Sequence, residues 1–234
     1  MKKLFNSATR GGGHNLSSAQ AFTLAEVLVT LGIIGVVSAM TVPTLMQNHQ
    51  RKTYVTQLHK VYNELSQAAM RFQADNNAVN LKEAGINSQA GLDNFIKTSF
   101  KIVQDCGADS TPCFAPNSEY RKISGVAAEG TGLVGFVTLA SGVSLGYRYD
   151  AGVHVATIDV DINGKKGPNI AGRDLFVLYL YNNAMIDDAD DVNIAPLTKD
   201  QREALYKAKC ASSSNNQWTG CFGKILNDNW EMTY

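Results

Sequence analysis

Between Ala21 and Met46 the chain reads AFTLAEVLVTLGIIGVVSAMTVPTLM, an apolar run whose single charged residue is Glu26. From Phe22 to Leu45 is about 24 residues; at a rise of about 1.5 Å each, a helix of that length covers about 36 Å, more than the roughly 30 Å of a bilayer's hydrocarbon core. One membrane helix is the direct reading. A carboxylate inside such a helix is costly and is kept only where a partner pairs with it. The identity of that partner is therefore the central question about the chain.

Residues 1–21, MKKLFNSATRGGGHNLSSAQA, carry Lys2, Lys3 and Arg10, no acid and no periodic apolar stripe. This pattern predicts a cytoplasmic leader. The full chain of 234 residues balances 21 Lys and Arg against 21 Asp and Glu, and removal of the leader leaves 18 against 21, about −3. A broad basic surface of the kind that binds nucleic acid is not expected.

Ala21-Phe22-Thr23-Leu24-Ala25-Glu26, followed by the apolar run and Pro43, resembles the processing motif of type IV prepilins and type II secretion pseudopilins. The resemblance extends over about Gln20 to Phe72. It implies that a membrane prepilin peptidase cuts between Ala21 and Phe22 on the cytoplasmic side and methylates the new amine of Phe22. It also implies that Glu26 pairs with the N-terminal amine of a neighbouring subunit's Phe22, which makes correct stacking favourable and an unpaired buried charge unfavourable. The family most often has Gly before the cut, where this chain has the small Ala21. Gly13 offers no substitute, since His14-Asn15-Leu16-Ser17-Ser18 lacks both the apolar run and the acid.

Two other readings compete for the same stretch. Val37-Ser38-Ala39 is an acceptable small-x-small site for ordinary secretory cleavage, which would leave Met40 as the first residue. The acid within the apolar core and the long polar leader argue against it. A proton relay through Glu26 would need a second ionisable group on the same span, and there is none.

The helix is predicted to continue past the membrane, because Val55, Leu58, Tyr62, Leu65, Ala69 and Phe72 follow a 3,4,3,4,3 spacing. That stripe reads as the face of a long helix packed on a globular head, with the helix reaching about Asn76. Pro43 removes one backbone hydrogen bond and, with Gly32 and Gly35, weakens the rod. The expected division is leader 1–21, membrane half 22–46, amphipathic half 47–77 and head 78–234. The fold class is α+β of the pilin-like kind, with an antiparallel sheet in the head.

The head, about 157 residues, is long enough for one core. Leu92 to Val103 fits a short amphipathic helix. Leu133–Leu139, Val143–Tyr149, Val153–Ile162 and Leu175–Tyr181 read as strands of an antiparallel meander. Leu197 to Lys209 reads as a helix with Thr198 and Gln201 forming a capping box, and the tail to Tyr234 reads as mostly irregular.

Four cysteines, Cys106, Cys113, Cys210 and Cys221, lie in a domain that the leader would place outside the cytoplasm, where disulfides persist. Three pairings are possible, and closeness in sequence favours Cys106–Cys113 with Cys210–Cys221. The second loop resembles the C-terminal disulfide loop of many type IV pilins. Zinc is disfavoured by the spacing within each pair and by His154 being the head's only histidine.

Asp159, Asp161 and Asn163 alternate on one strand face before Gly164, like the opening of a calcium loop. Ile170 occupies the closing position and cannot ligate, so Asp174 is the acid left to complete the set. Major pseudopilins carry a calcium site in the C-terminal part of the head, and Ca²⁺ is the one cofactor the sequence suggests. The competing expectation is a half-buried strand with its acids in solvent; Asp187, Asp188, Asp190 and Asp191 form a second acidic group expected in a solvated loop.

Gly142-Val143-Ser144-Leu145-Gly146, with Asp150 and His154 downstream, has the form of a nucleophile elbow. Ser144 falls in an alternating strand rather than a strand-to-helix turn, so no catalytic residue is assigned and the protein is not expected to be an enzyme. A hydrolase anchored by its signal is the remote alternative. The sequence points to a filament subunit of a type IV pilus or type II secretion pseudopilus, or to a minor subunit with an adhesive or DNA-uptake head. Expected partners are other subunits, prepilin peptidase, the inner-membrane assembly platform and membrane lipid. The precursor would reside in a bacterial inner membrane with its head in the periplasm or outside.

Overall fold

The computed structural model describes residues 22–128, 130–189 and 192–234. Ala21 and the leader, like Asp190 and Asp191, lie outside the described residues. The chain divides after Met46 into two units.

The first unit holds the start of helix α1, Leu24–Asp75, which runs through Gly32, Gly35 and Pro43. Thr23 caps it: its hydroxyl accepts the Glu26 N–H at 3.2 Å, while Glu26 Oε2 accepts the Thr23 N–H at 2.9 Å. This is a reciprocal capping box. Thr30 and Thr41 donate their hydroxyls to the Glu26 and Val37 carbonyls at 2.8 and 2.9 Å. Hydroxyls satisfied in this way are tolerated in an apolar medium. Every residue from 22 to 46 is exposed, and α1 is long and apolar enough to cross a membrane.

In the second unit the predicted stripe is buried. Val55, Leu58, Val61, Leu65, Ala68 and Ala69 lie inside, with Tyr62 and Phe72 packed at the margin. Asn80 caps α2, Leu81–Ala84, and Ser88 caps α3, Gln89–Ser99. The helix expected over Leu92–Val103 thus ends at Ser99, and the next residues form strand β1, Ile102–Gly107.

The remaining strands are β2 Arg121–Lys122, β3 Gly135–Leu139, β4 Ser144–Tyr149, β5 His154–Asp161, β6 Ile170–Ala171, β7 Leu175–Tyr181 and β8 Ile186–Asp187. They form one sheet in the order β1-β3-β4-β5-β7-β6-β2, with β8 on β7. The β3-β4-β5-β7 centre is antiparallel, as the meander predicts, but the sheet as a whole is mixed: β6 runs parallel to β7 and β2 parallel to β6. The cause is the loop before β7. Asp174 accepts the N–H groups of Asn169 and Ile170 at 2.9 and 2.7 Å, curling the chain so that Ala171 lies beside Leu175.

Both faces of this sheet are covered. One carries Leu145, Ile158, Val160, Phe176 and Leu178 against the α1 stripe and the α3 residues Leu92, Phe95 and Ile96. The other carries Phe136, Leu175, Val177 and Tyr179 beneath Phe114, Tyr120 and Trp218. All eight residues of β5 are consequently buried, which corrects the expectation that its acids face solvent.

The C-terminal region departs further from expectation. The capping box of Thr198 and Gln201 opens α4, Lys199–Leu205, which continues as a π-turn over Tyr206–Cys210. The tail forms α5, Cys221–Asn227, rather than an irregular segment. Its start is held by Asp188, which accepts N–H bonds from Ala189, Gly220 and Gly223 at 2.7, 2.9 and 2.5 Å. Asp187 is clasped by Arg202 through two bonds of 2.7 and 2.6 Å. These two acids are buried, not solvated, because a guanidinium and main-chain N–H groups replace water around them. Both local disulfides, Cys106–Cys113 and Cys210–Cys221, are formed.

Candidate functional site

The N-terminal segment gathers Phe22, Thr23 and Glu26 at the start of α1. Phe22 is 84 % exposed. Glu26 Oε2 takes both the main-chain N–H and the hydroxyl of Thr23, each at 2.9 Å, so within a single subunit the acid is spent on its own helix start. Two effects favour this: orphan N–H groups at a helix start need acceptors, and the helix dipole favours a negative charge there. The Thr23-x-x-Glu26 spacing carried this signal, as Thr198-x-x-Gln201 did for α4. Among the described residues of this segment through Met46, Glu26 is the only charged one.

In the head, β5 presents Thr157, Asp159 and Asp161 as a polar column on the sheet's second face. Tyr120 donates its hydroxyl to Asp161 Oδ2 at 2.5 Å, and the Asn163 N–H reaches Asp161 Oδ1 at 3.2 Å. Asp174 has both oxygens taken by main-chain N–H groups. Asp159 Oδ2 accepts the Thr131 hydroxyl at 2.6 Å. Burial pushes the Asp159 and Asp161 carboxyls up to about 7, and the nearby Asp174 charge adds to the effect at Asp161.

Asp159, Asp161, Asn163 and Asp174, the residues suggested for calcium, do not fit a cation cage as they are arranged. The oxygens of Asp161 and Asp174 face hydrogen-bond donors, and Asp159 turns to Thr131 rather than toward them. Among the described residues no three His, Cys, Asp or Glu side chains gather to hold a metal. Tyr120 and Thr131, which decide where these acids point, had no signal in the sequence because they arrive from the segment covering the sheet.

Ser144 is fully buried and donates its hydroxyl to the Cys113 carbonyl at 2.7 Å. It pairs with Asp161, whereas His154 pairs with Tyr181 at the other end of β5. Seven residues of strand separate the two ends, about 23 Å at about 3.3 Å each. His154 lies instead against Asp150, at 3.3 Å. The Gly142–Gly146 string is thus the end of a strand-to-strand turn running into interior strand β4, and it builds no elbow.

These features define a protein with one long apolar N-terminal helix and a disulfide-bonded α+β head. No family model, curated protein or solved structure matches the chain.

Proposed function

We propose that this protein is a structural filament subunit of the pilin type, serving a type IV pilus or a type II secretion pseudopilus. Prepilin peptidase removes residues 1–21 and methylates Phe22. The processed subunit waits in the inner membrane with its head outside the cytoplasm, and the assembly platform then stacks it with others through the apolar half of α1. The observation that carries the reading is α1 itself: its first half exposes apolar side chains along its whole length and keeps one acid, while its second half buries one apolar stripe in the head.

The capping box adds a physical step to this account. Before assembly, Thr23 supplies Glu26 with donors, so the acid is not bare in lipid. In the filament, the Phe22 amine of a neighbouring subunit replaces them with a charged donor, a stronger partner in a low-dielectric medium.

Mass spectrometry of the mature N-terminus tests the processing, with methylated Phe22 expected; Met40 as first residue would overturn it. Recovery of the protein in sheared surface filaments, compared with the cell envelope, tests the assembly role. Glu26→Ala should abolish incorporation, and unchanged incorporation would refute the part given to the acid.

A further inference from the structure

A cleft of about 460 Å³ lies on the second face of the head's sheet. Its walls include Phe114, Tyr120, Phe136 and Trp218, and Thr131 and Asp159 also line it. That volume falls within the range of small-ligand sites, which combine apolar walls with a few placed polar groups.

Asp159 is that polar group. It is 5 % exposed, and while Oδ2 has the Thr131 hydroxyl, Oδ1 has no hydrogen-bond partner. A buried carboxylate oxygen left without a donor is unfavourable, and folded proteins rarely keep one. The neighbours across the sheet cannot supply it: Gly146 on β4 and Val177 on β7 stand directly opposite. The nearby guanidinium of Arg148 bonds Asp150 at 3.0 Å and the Thr131 carbonyl. No Lys or Arg lines the cleft among the described residues, whereas Asp109 joins Asp159 there.

We infer that this cleft binds a ligand presenting an ammonium group on a short apolar or aromatic stem. Oδ1 is closed off as the side chain stands, so a turn of the Asp159 carboxyl brings it to the cleft, where the ammonium supplies the donor it lacks in a charge-assisted bond, and the aromatic walls take the stem and attract the cation through their faces. Two acids and no base on the lining disfavour anions. A neutral hydroxyl would fill the same space but lacks the charge complementarity. The ammonium belongs either to a free amine or to a lysine side chain of a partner chain, since both present the same chemistry.

The test uses the full chain in detergent micelles at about pH 8, where Asp159 is mostly ionised, and isothermal titration with three benzyl probes: benzylammonium, its isostere benzyl alcohol, and the anion phenylacetate. Benzylammonium should bind at least about tenfold more tightly than benzyl alcohol, the lower end of what a hydrogen bond to a charged group contributes. Phenylacetate should not bind. Asp159→Asn keeps the shape and an acceptor for Thr131, and should bring benzylammonium down to the level of the alcohol. Equal binding of ammonium and alcohol by the unaltered protein overturns the inference without any variant, as does a preference that survives in Asp159→Asn, or phenylacetate binding as tightly as benzylammonium. Nα-acetyl-lysine methylamide separates the sources: tighter binding than benzylammonium assigns the ligand to a protein side chain, weaker binding to a free amine.

Discussion

Asp188 is the residue on which the C-terminal architecture turns, and its removal has a calculable effect. Its carboxylate is fully buried and accepts three main-chain N–H groups, two of them from the start of α5. Asp188→Ala leaves three buried donors unmet, at about 1–3 kcal/mol each, or about 3–9 kcal/mol before relaxation. Two effects reduce this. Water can reach the start of α5 once it loosens, and burial of the carboxylate, which pushes its pKa up, is itself a cost that the substitution relieves. A loss of about 3 kcal/mol remains, which at about 2–4 °C per kcal/mol for a chain of this size lowers the unfolding temperature by about 6–12 °C. Asp188→Asn keeps one acceptor oxygen but points an amide at the Gly223 N–H, so it should fall between. Differential scanning fluorimetry of the full chain in detergent measures all three proteins. If Asp188→Ala unfolds within about 2 °C of the unaltered protein, or Asp188→Asn is the worse of the two, the carboxylate does not hold α5 as argued. Gly223 gives an independent check, because an added Cβ there would lie 2.9 Å from Asp188 Oδ2 and 3.1 Å from Arg202 Cβ. Gly223→Ala should destabilise the same corner.

Replacing Cys210 and Cys221 together by Ser should lower stability by about 2–3 kcal/mol, as loop-entropy reasoning gives for a closure of this length, read as a lower unfolding temperature under oxidising conditions that disappears in reductant. Burial raises the Asp161 carboxyl from about 3.8 to about 7, so the folded state holds a proton that the unfolded chain releases; the stability from this source is complete below about pH 4 and lost as pH rises through about 7. Asp161→Asn, which stays neutral, should therefore be at its greatest disadvantage to the unaltered protein at about pH 4 and below and recover as pH rises toward 8; a gap that is constant or widens with pH would contradict the assignment. Calcium and chelator should leave the unfolding temperature where it is, since Asp161 and Asp174 already face protein donors; a clear rise with Ca²⁺ would mean that these hydrogen bonds give way to a cation.

Much of the architecture was legible because it is local and periodic. The apolar run with Glu26, the 3,4,3,4,3 stripe ending at Phe72, the central strands and the capping box at Thr198 each depend on neighbours within a few turns or one strand. The pairing of Cys106 with Cys113 and Cys210 with Cys221 followed from closeness along the chain. Features that depend on distant segments were misread. Alternation along β5 suggested one wet face, yet Phe114, Tyr120 and Trp218 arrive from elsewhere to cover it. Asp187 and Asp188 looked like surface acids because their partners, Arg202, Gly220 and Gly223, lie far along the chain.

The sequence by itself determined that the protein has an apolar N-terminal helix with one acid near its start, and it favoured two short disulfide loops in the head among three possible pairings, since helix period, hydropathy and loop closure act over short spans. Only the tertiary structure decided where the head's acids go. The fate of a carboxylate depends on whether another segment brings a donor to it: Asp188 receives three N–H groups, Asp161 a tyrosine hydroxyl, and Asp159 a donor for only one of its two oxygens.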